Sequence, residues 1–144
     1  MSEPRFLQLH APDAAALVAE AQAGLLAPAA HASPKFFYDA LGSRLFDAIT
    51  ALEEYYPTRT EAAIMATHAE AIAAAVVRVA GANTTLVDLG AGNGEKAARL
   101  FGPVQPRRYV AVDISVDFLR GALDSLQRQH PALDMVGARS PGPR

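Results

Sequence analysis

The residues Val87-Asp88-Leu89-Gly90-Ala91-Gly92-Asn93-Gly94-Glu95-Lys96 carry an apolar strand into three closely spaced glycines and out into a helix. Glycines at such a junction let the backbone turn sharply and let a ligand approach the main chain without meeting a Cβ. The helix N-terminus beyond them favours electron-rich groups. The spacing is G-x-G-x-G, one residue shorter than the G-x-G-x-x-G that seats a pyrophosphate in dinucleotide enzymes, which argues against NAD or FAD.

Downstream of the turn, strand and helix alternate. Thr84–Leu89 reads as a buried strand, Glu95–Phe101 as a helix and Arg108–Val112 as a second strand. Asp117–Gln129 follows as a helix with Leu119, Leu123 and Leu126 on one face, and Leu133–Val136 begins a third strand. That order implies parallel pairing with right-handed crossovers. Upstream the pattern is helical. Asp13 is placed to cap a helix ending near Gly24, and Ser43 to cap a short one with Leu45, Phe46, Ile49 and Leu52 at helical spacing. Glu53-Glu54-Tyr55-Tyr56-Pro57 breaks that helix, since the residue before a proline is pushed out of the helical region. Thr58 and Glu61 then form a capping box for a long helix whose stripe is Ile64, Met65, His68, Ile72, Val76 and Val79. The expected organisation is a helical, aromatic-rich segment over 1–82, a partial Rossmann-like domain over 83–137 and a disordered tail over 138–144.

Composition narrows the classes. The chain has 144 residues, 51% hydrophobic and 19% charged, with 13 basic against 15 acidic side chains and no cysteine. That length accommodates one core. A net charge of −2 gives no diffuse pull on nucleic acid. Lack of cysteine removes thiolate nucleophiles, zinc knuckles and iron–sulfur sites, and fits a reducing cytoplasm. The start Met1-Ser2-Glu3-Pro4-Arg5 has no secretory pattern, and the apolar run Ala71–Val77 is too short to span a bilayer. His10, His31, His68 and His130 lie in unrelated segments, so no metal site is expected, and no Ser–His–Asp pattern or P-loop is present. The expectation is a soluble, cytoplasmic chain with neither membrane nor nucleic-acid partner.

Asp113, at the end of the second strand, is a carboxylate placed to accept hydrogen bonds from both hydroxyls of a ribose. Taken singly, the glycines, Asp88 and Asp113 read as a structural turn and two surface acids. In order and at this spacing they look like the binding half of a class I S-adenosylmethionine-dependent methyltransferase.

A more specific resemblance lies in the aromatic segment. Phe37-Tyr38-Asp39-Ala40-Leu41-Gly42-Ser43-Arg44-Leu45-Phe46-Asp47-Ala48-Ile49-Thr50, followed by Glu54-Tyr55-Tyr56-Pro57-Thr58-Arg59-Thr60-Glu61, resembles the signature of the histidine-specific Nα-methyltransferases of ergothioneine biosynthesis. The resemblance runs from about Lys35 to Val136. It implies successive methyl transfers from S-adenosylmethionine to the α-amine of L-histidine, giving the trimethylated betaine hercynine. By position, Tyr55 and Tyr38 match substrate-contacting aromatics. Gly90, Lys96 and Asp113 match cofactor-binding positions, joined by Gly92 and Asp88 from the turn itself. Tyr56 is a further aromatic face, whereas Phe36, Phe37 and Phe46 read as core or interface residues. Thr58 and Arg59 read as a helix cap and a surface or interface residue. No catalytic residue is assigned.

Past Val136 the acidic and aromatic pair expected of the family gives way to Gly137-Ala138-Arg139-Ser140-Pro141, and the family's chains are far longer. The resemblance therefore implies the first half of the fold, about three parallel strands, from a truncated or frameshifted reading frame. Its first strand would keep an open edge and uncovered helix-packing faces, and the chain alone would not be a competent enzyme. The alternatives are an inactive remnant, a methyltransferase of another amino acid or small amine, and a half-enzyme completed by a separately encoded C-terminal half.

Overall fold

The structure, a computed structural model, describes residues 3–8 and 13–139. Three of its strands are those expected: β2 (Thr85–Leu89), β3 (Arg108–Asp113) and β4 (Asp134–Arg139). A fourth, β1 (Arg5–Leu7), pairs in parallel with β4 to give the order β1-β4-β3-β2. Three residues are too short for alternation to show in the sequence, so the strand is visible only through its pairing. A boundary at 82/83 therefore does not separate the sheet from what precedes it. Nor do 138–139 belong to a tail: Ala138 and Arg139 pair with Val112 and Asp113. Residues 140–144 of the expected tail lie outside the described residues.

The helices are α1 (Ala14–Leu25), α2 (Ala40–Thr50), α3 (Tyr56–Ala80), α4 (Glu95–Val104) and α5 (Val116–Gln129). Asp13 caps α1 as expected, accepting from the amides of Ala15 and Ala16. The cap of α2 is Asp39, whose Oδ1 accepts from Gly42 N–H at 2.7 Å, and Ser43 lies buried one turn inside the helix. The long helix starts before the expected box, with Tyr55 at its cap position and Pro57 in its first turn, where a missing N–H costs nothing. Of the expected α3 stripe, Ile64, His68 and Val79 face solvent, while Met65, Ile72 and Val76 turn inward beside buried Ala73. By length and hydropathy alone α3 is long and apolar enough to cross a membrane. It nevertheless carries Arg59, Glu61, Glu70 and Arg78 and packs against α4, as a domain helix does.

One face of the sheet is covered. Ala97 and Phe101 from α4 and Leu119, Leu123 and Leu126 from α5 cluster with Tyr109 and Ala111 of β3 and Met135 of β4. β2 is not buried on both faces as a crossover strand would be. Leu86 and Asp88 turn toward the covered face, while Val87 and Leu89 are 53% and 78% exposed on the other. At the N-terminal ends of the strands Asp134 binds Arg108 of β3 (2.6 Å) and Arg5 of β1 (3.1 Å), tying three strands together.

Candidate functional site

The carboxyl ends of β2 and β3 open into a cavity of about 850 Å³, roofed by α2 and the start of α3. A crevice outside the strand ends is where open parallel sheets bind ligands. Its floor is the glycine turn. Gly90, Gly92 and Gly94 have φ of 74°, 54° and 72°, a region that side chains other than glycine rarely adopt. The N–H groups of Gly90 and Ala91 both donate to Val112 O (2.8 and 3.1 Å), folding the turn back onto β3. Asp113 locks it: Oδ2 accepts from Gly92 N–H and Oδ1 from Ser115 N–H, each at 2.9 Å. A Cβ built at Gly90 or Gly92 would meet nothing within 4 Å, so the space over the main chain is open. Backbone, glycine gap and a carboxylate with lone pairs to spare fit a nucleoside-bearing cofactor.

The roof is aromatic and acidic. Tyr38, Phe46 and Tyr55 line the cavity, the last two packed edge to face at 5.9 Å. Arg59 holds Tyr55 in place indirectly. Its Nη1 donates to Leu52 O at 2.8 Å and its Nη2 to Glu53 O, so this side chain fastens the break between α2 and α3. Ser43, Asp47 and Thr50, spaced i, i+4 and i+7, form a polar stripe facing the cavity, while Leu45, Ile49 and Leu52 point outward. Burial, and secondarily the charge of Glu95, pushes the Asp47 carboxyl above its ordinary range.

The cavity thus brings together Tyr38, Tyr55, Gly90, Gly92, Lys96 and Asp113 from segments up to 75 positions apart in the chain. Asp88 is not among its lining residues. Its Oδ2 instead accepts from the phenol of Tyr109 at 3.1 Å, beneath the turn. Tyr56, 67% exposed at the first position of α3, also lies outside the lining. Phe46, Asp47 and Glu95 were not expected in the site. The stripe Ser43, Asp47, Thr50 was a readable signal for Asp47, masked by the stronger apolar periodicity of the same helix.

Comparison with known proteins agrees with the geometry. The model of a family described as histidine-specific methyltransferase, SAM-dependent, matches residues 17–140. The chain is 43% identical over 126 residues to the histidine N-alpha-methyltransferase of Mycolicibacterium smegmatis, covering 85% of this chain and 38% of that protein. To the protein of the same name from Mycobacterium tuberculosis it is 38% identical over 106 residues, covering 71% and 32%. To the N-methyltransferase fsqC of Aspergillus fumigatus it is 32% identical over 134 residues, covering 88% and 36%. The chain therefore spans about a third of the length of the curated relatives it matches.

Proposed function

Because the chain belongs to the family of histidine-specific, S-adenosylmethionine-dependent methyltransferases, we propose that it supplies the cofactor cradle and the aromatic wall of an enzyme that methylates the α-amine of L-histidine. The observation that carries this reading is the single cavity shared by the glycine turn and the Tyr38, Phe46 and Tyr55 faces. On this reading Gly90, Gly92 and Asp113 hold S-adenosylmethionine, with Lys96 at the rim and Asp88 acting from below. The bound cofactor supplies an activated methyl group on a sulfonium.

The protein's own tasks are then few. The roof orients the neutral amine and excludes water, which is where proximity gives its gain. The lone pair of that nitrogen would face the methyl group the cofactor supplies, and each of the first two transfers would leave the nitrogen with one proton to lose. Asp47, a half-buried carboxyl of raised proton affinity on the substrate wall, is suited to accept it. Aromatic faces stabilise the growing ammonium charge by about 0.5–2 kcal/mol each. The proposal extends to the trimethylated product, hercynine, to ergothioneine biosynthesis and to a cytoplasmic setting.

Isothermal titration of the 144-residue chain with S-adenosylmethionine tests the cradle. A dissociation constant of about micromolar order is expected; no heat from a chain that is folded by circular dichroism would refute the cradle. A second reading, another small amine as acceptor, is favoured by the relative named only N-methyltransferase. Histidine and other amines offered in parallel, with methylated product followed by mass spectrometry, separate the two.

A further inference from the structure

We infer that Tyr109 is a positioning residue for the cofactor cradle, its buried phenol holding the strand end at Asp88 and the far end of the glycine turn at Gly94 in one fixed relation. The inference rests on the proposed role of the turn as the cofactor floor.

Tyr109 is fully buried, and its hydroxyl donates to Asp88 Oδ2 at 3.1 Å. The register explains how it reaches. Leu86 pairs with Tyr109 and Asp88 with Ala111, so Asp88 stands one pleat further along the same covered face, toward the turn. The phenol runs along that face and ends beneath the glycines. A Cβ built at Gly94 would lie 3.3 Å from the Tyr109 hydroxyl and 2.6 Å from Leu126 Cδ1, so the exit of the turn rests directly on the same group. Phe101, edge-on at 4.9 Å, limits how the Tyr109 ring can tilt.

A core aromatic needed only for volume would be as well served by phenylalanine, which has no polar atom to satisfy. The hydroxyl is the informative part. Burial, followed by the charge of Asp88, the hydrogen bond to it and the charge of Asp113, raises the proton affinity of the phenol, so it stays a donor across the working pH range. Asp88 and Asp113 then act as two clamps on one turn, the first from beneath through Tyr109, the second from the rim through Gly92 N–H.

Tyr109→Phe in the full chain keeps the ring and deletes the clamp. The expected result is a near-normal circular-dichroism spectrum with S-adenosylmethionine affinity reduced roughly ten-fold. Asp88→Ala should lose a similar factor, and the double variant should lose little more than either single, because both changes cut one bond. Tyr109→Phe binding within about two-fold of the parent, or fully additive losses, would overturn the inference. Hydrogen exchange of the segment 90–95 provides a readout independent of the cofactor. Faster exchange there in Tyr109→Phe is expected, and unchanged exchange overturns the positioning role even if the parent chain binds no S-adenosylmethionine, an outcome that would count separately against the proposed function. Should Tyr109→Phe not fold, Asp88→Ala, which leaves the core intact, takes the same exchange test.

Discussion

The Lys96 ammonium lies 3.3 Å from the Glu61 carboxylate, joining the first turn of α4 to the second turn of α3. Through this pair the helix that follows the glycine turn is tied to the helix that starts just after Tyr55 and lends its first turns to the roof. Floor and roof of the cavity are thus held at one spacing by side chains from opposite halves of the sequence.

Both partners are about half exposed, so the pair itself adds little stability. Glu61→Gln is expected to cost less than about 1 kcal/mol in urea melts. Lys96→Ala is expected to weaken S-adenosylmethionine binding several-fold, with the deficit shrinking as salt is raised, since a rim charge is screened. Titration calorimetry at two ionic strengths checks it.

The three glycines are not equivalent. Gly90→Ala meets only backbone strain, about 1–2 kcal/mol, because nothing lies within 4 Å of the new Cβ. Gly94→Ala carries the same strain and also drives a methyl into Leu126 and Tyr109, for about 1–3 kcal/mol more. Thermal melts should rank them in that order. Cofactor titration should reverse it in kind, Gly90→Ala losing affinity while staying folded.

Arg59→Ala removes both donors to the Leu52 and Glu53 carbonyls, and a loss of about 1 kcal/mol is expected for this exposed site. Lysine cannot fork between two carbonyls, so Arg59→Lys should recover only part. Near-ultraviolet circular dichroism, which reports the packing of Tyr55 against Phe46, should change more than the far-ultraviolet spectrum.

The Asp134 carboxyl is held below the ordinary carboxylate range, chiefly by the hydrogen bond from Arg108 and further by Arg5. A depressed folded value means that its contribution is complete above the ordinary range and is lost as pH falls through the folded value. Asp134→Asn should therefore lower the melting temperature at neutral pH. The gap from the parent should close toward zero in strongly acidic buffer. Asp47 has the opposite sign: its raised proton affinity makes the ionised form a burden, so Asp47→Asn should slightly stabilise the fold at neutral pH.

Much of the architecture was legible in the chain because it is locally encoded. The turn at Gly90–Gly94, the strands flanking it and the α5 face Leu119, Leu123, Leu126 each follow from spacing over a few residues. Residues for which two local signals competed were not. Asp39 out-competes Ser43 for the α2 cap because its carboxylate reaches Gly42 N–H, and Pro57 moves the start of α3 ahead of Thr58.

By itself the sequence determined the alternating α/β pattern, the glycine cradle and the family, since these reside in residue order and in short spacings. Tertiary structure alone decided three things. It made Arg5–Leu7 an edge strand, turned Asp47 rather than Leu45 toward the cavity, and placed Asp88 under the turn on Tyr109 instead of inside the site. Each depends on a partner more than 20 positions away, and a contact of that range exists only once the sheet has set the register.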